Sequence, residues 1–318
     1  MKSQEWKKIK EYLIGTGGWA YFRIPRLKSL VAYSRVFNFV EVNSTFYQMP
    51  PLEEVERWRK LVPPDFKFSV RAHQAITHKY KLEPVKQTFE AFEQMKQICG
   101  KLGADILHLQ VPSSFKFTNT SINNLRSLLS SVSLQKLRLT LEMRGKRSSQ
   151  LPLQLMKTMQ EHNIIHCVDL SKSEAPAYES DILYTRLFGK GKHNVYQPTD
   201  DELQEIDNKA INGKPEKIVM SFHFVKMYKD AARLKTYKQT GKFPKVTGST
   251  GLASLEEILS EDARFPSTKE ELVLNQGWKV FDLTETERVH ARDLLDQLPQ
   301  GTYNDLSEVS QELKTKIR

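Results

Sequence analysis

Carboxylates follow several short apolar runs of this chain, at the points where those runs end. Glu41, Glu142 and Asp169 occupy such positions, and carboxylate oxygens are ligands that Mg²⁺ and Mn²⁺ prefer. If the runs end at one place, the three residues could hold such a cation, which would polarise a phosphoryl group and activate a bound water. The alternative is that they pair with neighbouring arginines and neutralise a polar interior, because buried charges need partners.

Arginines end three of the short apolar runs. Arg71, Arg144 and Arg186 carry planar guanidinium forks, which suit phosphate and carboxylate groups. Converging arginines predict an anion site, which we favour over a purely structural array. Further expected substrate contacts are Trp19, Asn43, Tyr47, Lys190 and Lys226.

His78 lies shortly after Arg71 and is a candidate general acid or base, since an ordinary imidazole titrates near neutral pH. A lone histidine in a basic loop is more often a surface residue or a phosphate contact. Aromatic residues near the first two run ends could stack on a sugar or base, or could form a hydrophobic lid. These residues are Trp19, Tyr21, Phe46 and Tyr47.

The apolar runs that precede these residues number eight, and helix-like stretches separate nearly all of them. Alternation of strand and helix predicts a parallel sheet, and eight repeats predict an α/β fold closed into a TIM-like β/α barrel. Residues at the strand ends build the active site of such barrels, so we expect the groups above to converge. The predicted strands are 13–15, 39–43, 66–71, 106–110, 137–144, 164–169, 183–186 and 217–223.

Charge is distributed unevenly along the 318 residues. Residues 1–245 carry a net charge of +16 and residues 246–318 a net charge of −6. A basic body attracts anionic partners, although a solvated lysine-rich surface explains it equally well. Residues 226–245 mix seven basic with three aromatic side chains, which suits single-stranded nucleic acid or marks the exposed face of the last barrel helix.

The alternation of strand and helix signals ends near Lys245. We therefore predict the barrel over residues 1–245, and over residues 246–318 a linker, beginning near Gly248, followed by a small helical acidic domain. Helix starts with capping-box spacing are expected at Thr199 with Glu202 and at Ser267 with Glu270.

Membrane and secretion signals are lacking in the printed sequence. No apolar run approaches the roughly 18 residues of a membrane span, and the charged first residues lack the apolar core of a signal peptide. The two cysteines form no disulfide or metal pattern. We expect a cytoplasmic protein without membrane contact, and the oligomeric state is left open.

Several strings of residues are diagnostic when taken together. The chain contains Glu41-Val42-Asn43-Ser44-Thr45-Phe46-Tyr47 with Gly18-Trp19, together with residues 64–72 and 184–187. These strings resemble the YecE-like family (domain of unknown function seventy-two) over about residues 12–245. The resemblance implies a TIM-like barrel, and it assigns no reaction because the family has no settled biochemical function. This chain differs from the family pattern at Gly17 or Gly18, where serine is usual. Residues 264–316 resemble, less closely, a second uncharacterised small-domain family.

Three functions are compatible with these residues. The first is a nuclease-like enzyme with Mg²⁺ or Mn²⁺, in which Glu41, Glu142 and Asp169 position the cation and the arginines hold a phosphodiester at the barrel mouth. The second is a non-catalytic nucleic-acid or anion-binding protein whose acidic tail modulates access. The third is a sugar-phosphate isomerase or epimerase in which Glu41 or Glu142 transfers the proton.

Overall fold

The computed structural model describes residues 9–145, 151–172, 175–314 and 316. It contains all eight predicted strands: β1 Glu11–Thr16, β2 Phe39–Val42, β3 Lys67–Arg71, β4 Ile106–Val111, β5 Arg138–Met143, β6 Ile165–Cys167, β7 Ile182–Leu187 and β8 Lys217–Phe222. They form one parallel sheet in the order β6-β5-β4-β3-β2-β1-β8-β7. The predicted β/α barrel is confirmed.

The barrel closes between β6 and β7, where the strand ladder is reduced to one parallel bridge between Val168 and Thr185. The hydroxyl of Thr185 donates to the carbonyl of Val168 over 2.8 Å. The same hydroxyl accepts from the backbone N–H of Leu170 at 3.3 Å. A side chain therefore supplies part of the hydrogen bonding that a longer strand would have made at this seam.

Helices alternate with the strands along the chain. They are α1 Ser29–Ser34, α2 Leu52–Lys60, α3 Lys86–Leu102, α4 Asn119–Ser131, α5 Leu153–Glu161, α6 Asp200–Asn212 and α7 Met227–Thr240. In α3, Phe92, Met95 and Cys99 are buried at three- and four-residue spacing, as one apolar stripe requires. The described part of the β6–β7 connection holds a 3-10 turn, Leu170–Lys172, in place of an α-helix.

Alternate side chains of each strand point into the barrel, because strand side chains alternate with a period of two. A mostly apolar cluster fills the interior: Leu13, Phe39, Ile106, Ile165, Cys167, Ile182, Tyr184 and Val219. Two residues after Phe39 on the same face comes Glu41, and two residues after Tyr184 comes Arg186. The interior therefore changes from apolar to charged toward the carboxyl ends of the strands, which we call the mouth.

Two compact units divide the chain. One comprises Met1–Leu187 and Asn208–His223, with all eight barrel strands, and the other comprises Phe188–Asp207 and Phe224–Arg318. The predicted boundary at Lys245 lies inside the second unit. No helix among the described residues is long and apolar enough to cross a membrane.

The part of the second unit after residue 246 contains both helices and short strands. Its elements are α8 Gly251–Ser260, β9 Ser267–Thr268, α9 Lys269–Gln276, β10 Val280–Asp282, β11 Arg288–His290, α10 Arg292–Leu295, β12 Thr302–Tyr303 and α11 Leu306–Leu313. Hydrogen bonds hold the start of the segment that was predicted to contain a linker. Asp282 accepts from the backbone N–H and the hydroxyl of Thr247 at 2.8 and 2.7 Å. Leu255, Phe281 and Val309 are among the fully buried residues of its apolar core.

Candidate functional site

Arg186 lies at the centre of the charged part of the barrel, with 1% of its surface exposed. Its Nε donates to Glu41 Oε1 at 3.1 Å, and its Nη1 donates to Glu142 Oε2 at 2.6 Å. Nη1 also donates to Gln110 Oε1 at 2.9 Å, and Nη2 donates to Asn43 Oδ1 at 3.3 Å. One guanidinium therefore joins the side chains of strands β2, β4, β5 and β7 around the barrel.

Glu41 is fully buried and is surrounded by donors. The hydroxyl of Tyr184 donates to its Oε2 at 2.7 Å, and His223 Nε2 lies 3.4 Å from its Oε1. Burial alone would raise the pKa of Glu41, but the charge of Arg186 and the hydrogen bond of His223 outweigh burial and hold the pKa well below its usual value. The carboxylate is ionised at neutral pH.

Glu142 lies nearer to solvent; Arg186 and His108 hydrogen-bond its carboxylate, and Arg144 forms an ion pair with it. Besides Arg186, it is contacted by Arg144 Nε at 2.6 Å from Oε1 and by His108 Nε2 at 3.1 Å from Oε2. Burial opposes ionisation of Glu142, yet the charge of Arg186 and the hydrogen bond of His108 lower its pKa far below the usual value. The other nitrogen of His108 is held by the hydroxyl of Thr140 at 2.5 Å.

The two histidines of this network are neutral at neutral pH. Burial, reinforced by the charge of Arg186, lowers the pKa of His223 to about 4. The same two causes lower the pKa of His108. The network therefore holds two negative carboxylates, one positive guanidinium and two uncharged imidazoles, with the charges of Arg71 and Arg144 added at the mouth.

Arg71 has a different environment from Arg186. Its guanidinium carbon lies 3.7 Å from the centre of the Phe46 ring, a cation–π contact. Among the described residues, its guanidinium makes one hydrogen bond, from Nη1 to Asn43 Oδ1 at 3.4 Å, and the buried Nε has no partner there. Burial, with repulsion from Arg186, lowers its pKa to about 10, so Arg71 still carries its charge at neutral pH.

The turn Ser44–Phe46 is fixed beside Arg71 by Thr45. The hydroxyl of Thr45 contacts the carbonyl oxygens of Val42 at 3.0 Å and Arg71 at 2.6 Å, and so ties this turn to the ends of β2 and β3. This role explains the hydroxyl in the Asn43-Ser44-Thr45-Phe46-Tyr47 string.

His78 packs against Phe46, beside Arg71. Its ring lies 4.8 Å from that of Phe46 at 77°. Its Nδ1 is 2.8 Å from the hydroxyl of Thr77. Burial and the charge of Arg71 lower the pKa of His78. His78 is therefore largely neutral at neutral pH.

Gly17 allows the two sides of the mouth to approach each other. A Cβ at this position would lie 2.1 Å from Cε1 of His223 and 2.7 Å from Nδ2 of Asn43. That amide donates to the Gly17 carbonyl at 3.0 Å. Because real Cβ contacts are never this short, a side chain at Gly17 would displace His223, Asn43 or the backbone.

The remaining predicted site residues have partners of other kinds. Asp169 accepts from the backbone N–H of Ser171 at 3.0 Å and pairs with Lys172 at 3.6 Å, so its carboxylate is engaged by its own turn. Trp19 packs edge-on against Trp58 at 5.3 Å. The two lysines lie in the second unit, where Lys190 pairs with Glu202 at 2.8 Å and Lys226 pairs with Glu261.

The ligand atoms near Glu142 fit a cation poorly. Ligand atoms of His108, Glu142 and Cys167 lie within 4.8 Å of one another. However, Glu142 Oε2 already meets Arg186 and His108, and burial raises the pKa of the Cys167 thiol well above its usual value. Glu41 and Glu142 both face Arg186, whose positive charge opposes a cation between them. The residues therefore fit an anion better than Mg²⁺ or Mn²⁺.

Tyr184 is the member of the buried network that the sequence analysis did not predict. It links Glu41 to Ser69, whose Oγ is 2.7 Å from the tyrosine hydroxyl. Its ring stacks at 5.6 Å on that of His108. The available signal was its position two residues before Arg186 in the same predicted strand, which places both side chains on one face.

An eight-stranded parallel barrel with charged residues at the carboxyl ends of its strands defines a TIM-like β/α-barrel protein, a class whose sites lie at that end. Within this class the chain belongs to the family described as protein of unknown function DUF72, whose model matches residues 13–242. The UPF0759 protein YecE of Escherichia coli is 33% identical over 105 residues, which cover 32% of this chain and 38% of that protein. The match thus spans well under half the length of this curated relative.

Solved structures agree with the fold. A DUF72 family protein of Enterococcus faecalis superposes with a TM-score of 0.59 at 18% identity, over 74% of this chain and 98% of that chain. A DUF72 family protein of Thermotoga maritima gives a TM-score of 0.59 at 19% identity, over 72% of this chain and 99% of that chain. These similarities show the fold, and the functional argument depends on the residues at the mouth.

Proposed function

We propose that the barrel mouth binds a small anionic substrate, a phosphate ester or a carboxylate, and that Arg71 is its main anchor. The observation that carries this proposal is the contrast between two arginines. Arg186 is satisfied by four acceptor side chains, whereas the Arg71 guanidinium makes, within the part of the chain that the structure describes, one long hydrogen bond to Asn43 and stacks on Phe46. A largely buried guanidinium with so few acceptors is prepared to receive a phosphate or carboxylate from outside.

The charge of the mouth supports the same function. With both histidines uncharged, the carboxylates of Glu41 and Glu142 are outnumbered by Arg71, Arg144 and Arg186. The site thus has a net charge of about +1 at neutral pH, as the directions of these pKa shifts indicate. An anion restores neutrality in a region of low dielectric constant, where such an interaction is stronger than in water.

Proton transfer in a sugar-phosphate isomerase or epimerase is a second candidate, favoured by the contact between Arg144 and Glu142. The Arg144 side chain is 33% exposed and lies 2.6 Å from Glu142. A substrate anion that drew Arg144 away would remove one of the groups that lower the pKa of Glu142, and would make this carboxylate a better base. Metal-assisted phosphodiester hydrolysis remains a prediction that the charge of Arg186 disfavours.

Binding of inorganic phosphate and ribose 5-phosphate tests the anion site. We expect both to raise the melting temperature of the wild type at fixed ionic strength, because a ligand that binds the folded state stabilises it. Arg71→Met should abolish this rise, and Arg35→Met, which removes an exposed arginine at the end of α1, should preserve it. Equal protection of the wild type and Arg71→Met would overturn the proposal.

A further inference from the structure

We propose that the anionic substrate also carries a planar ring, which stacks on Tyr47 while its anionic group binds Arg71. A nucleoside monophosphate is the simplest compound with both features. This inference rests on the proposed anion site. It is carried by one juxtaposition: an exposed aromatic ring on a fixed backbone, next to a guanidinium with few acceptors.

Tyr47 is exposed although its backbone is held in place. The side chain and backbone together retain 69% exposure. The backbone N–H donates to the carbonyl of Ser44 at 3.0 Å, and the side chain of His73 hydrogen-bonds the Tyr47 backbone. Thr45 fixes the preceding turn to the end of β3. A ring presented in this way is preorganised, so little conformational entropy is lost when a ligand stacks on it.

Phe46 sets the distance between the ring platform and the anion anchor. Its face carries the Arg71 guanidinium at 3.7 Å. Its ring meets the Tyr47 ring at 5.0 Å and 89°. Arg71 and Tyr47 therefore flank one side chain, and a ligand that reaches both needs its anionic group and its ring on a short linker. The pentose between the base and the phosphate of a nucleotide is such a linker.

A hydrophobic lid is the other use of aromatic residues at a barrel mouth, and exposure distinguishes the two. Phe46 is 8% exposed and has the burial that packing requires. Tyr47 follows it directly and is left in solvent, where a large aromatic surface gains little unless something covers it. Aromatic stacking accepts any flat ring, and so predicts a preference for ring-bearing anions without strict base specificity.

Calorimetric titration with three probes separates the two parts of the ligand. Adenosine 5′-monophosphate carries both parts, ribose 5-phosphate lacks the base, and adenosine lacks the phosphate. We expect Tyr47→Ala to weaken the monophosphate roughly 5- to 150-fold, the range of base stacking on aromatic side chains, and to leave ribose 5-phosphate unchanged. Tyr47→Phe should retain the wild-type affinity, and Leu274→Ala, which removes another large exposed apolar side chain, is the matched control.

The outcomes separate this inference from the proposed function. Suppose that ribose 5-phosphate binds through Arg71, and that Tyr47→Ala weakens adenosine 5′-monophosphate and ribose 5-phosphate equally or weakens neither. The proposed stacking on Tyr47 is then wrong, and the proposed anion site stands. If neither phosphate binds the wild type, both proposals fail. A single-stranded oligonucleotide that binds far more tightly than the monophosphate, in a manner dependent on Tyr47, would overturn the choice of a small molecule in favour of a polymer.

Discussion

Arg186 Nη1 lies 2.6 Å from Glu142 Oε2 in the interior of the barrel. The same guanidinium meets Glu41 at 3.0 Å. Both carboxylates are ionised because Arg186 is present, and both are buried, where a charge without a partner is unstable. The arrangement makes the stability of the barrel depend on one side chain, and it also decides which ligands the mouth can accept.

Arg186→Met is expected to reduce the free energy of unfolding by about 3–5 kcal/mol, because it leaves buried carboxylates without their main partner. Urea unfolding at pH 7.5 measures this loss. Arg144→Met is the control: the Arg144 side chain is 33% exposed, so solvent partly screens its ion pair with Glu142, and we expect this variant to lose about 1 kcal/mol. Equal losses in the two variants would show that Arg186 is not the principal counter-charge.

If Arg186→Met does not fold, a triple variant shows whether lost charge or lost packing is the cause. Replacing Glu41 and Glu142 by Gln in the same chain removes the charges that Arg186 neutralises. If our account is right, this triple variant regains folded structure by circular dichroism. A triple variant that stays unfolded would point to lost packing of Arg186 in place of lost charge.

Gly17→Ala is expected to destabilise the barrel by about 1–3 kcal/mol, because the new Cβ would overlap the ring of His223. Thermal unfolding gives the loss, and phosphate binding should weaken because Asn43, which contacts both Arg71 and Arg186, must move. Gly100→Ala is the comparison: its Cβ meets nothing within 4 Å, and alanine in the interior of α3 should stabilise by about 0.5–1 kcal/mol. A neutral Gly17→Ala would contradict the close approach.

The fold was predictable from the sequence because eight apolar runs alternate with helix-like stretches. Strand alternation also put Glu41, Glu142 and Arg186 on the inner face. Strand alternation could not predict how deep in the barrel each arginine lies. Arg186 and Arg71 both end apolar runs, yet Arg186 lies at the centre of the charged network and Arg71 stacks on Phe46. That difference depends on how far each side chain reaches along the barrel, which is set by the tilt and stagger of the strands.

Local turn chemistry explains two departures. β6 ends at Cys167, so Asp169 falls beyond the strand, and Ser171 and Lys172 engage its carboxylate. In the second unit, the capping box forms at Thr268 with Glu271 and not at Ser267 with Glu270. Two adjacent hydroxyl residues offer the same signal, and the pairing of Ser267 with Tyr303 in β12 decides between them.

Mg²⁺ and Mn²⁺ are expected to leave the melting temperature of the wild type unchanged at matched ionic strength, because the charge of Arg186 opposes a cation at Glu41 and Glu142. Thermal unfolding with and without each metal, compared with Glu142→Gln, measures this directly. A rise confined to the wild type would identify a metal site at Glu142. It would restore metal-assisted hydrolysis as the leading hypothesis, to be assayed on labelled single-stranded DNA.

Asp230 gives the second unit a distinct pH dependence. It is fully buried, its Oδ1 accepts from Arg233 at 3.1 Å and Gln197 at 3.3 Å, and its Oδ2 has no partner among the described residues. Burial raises its pKa to about 6. Because the folded protein binds this proton more tightly than the unfolded chain, the stability that the proton contributes is complete below the unfolded pKa of 3.8 and is lost as the pH rises through about 6.

Asp230→Asn removes this titration, so the stability of the wild type relative to the variant should increase by about 1.4 kcal/mol as the pH falls from about 7.5 to about 5. Urea unfolding of both proteins at each pH gives the difference. The comparison is needed because four histidines with lowered pKa values, His73, His78, His108 and His223, destabilise the folded state over the same interval and cancel between the two proteins. A difference that stays constant with pH would mean that Arg233 keeps Asp230 ionised, and that the pair is held by charge and not by a proton.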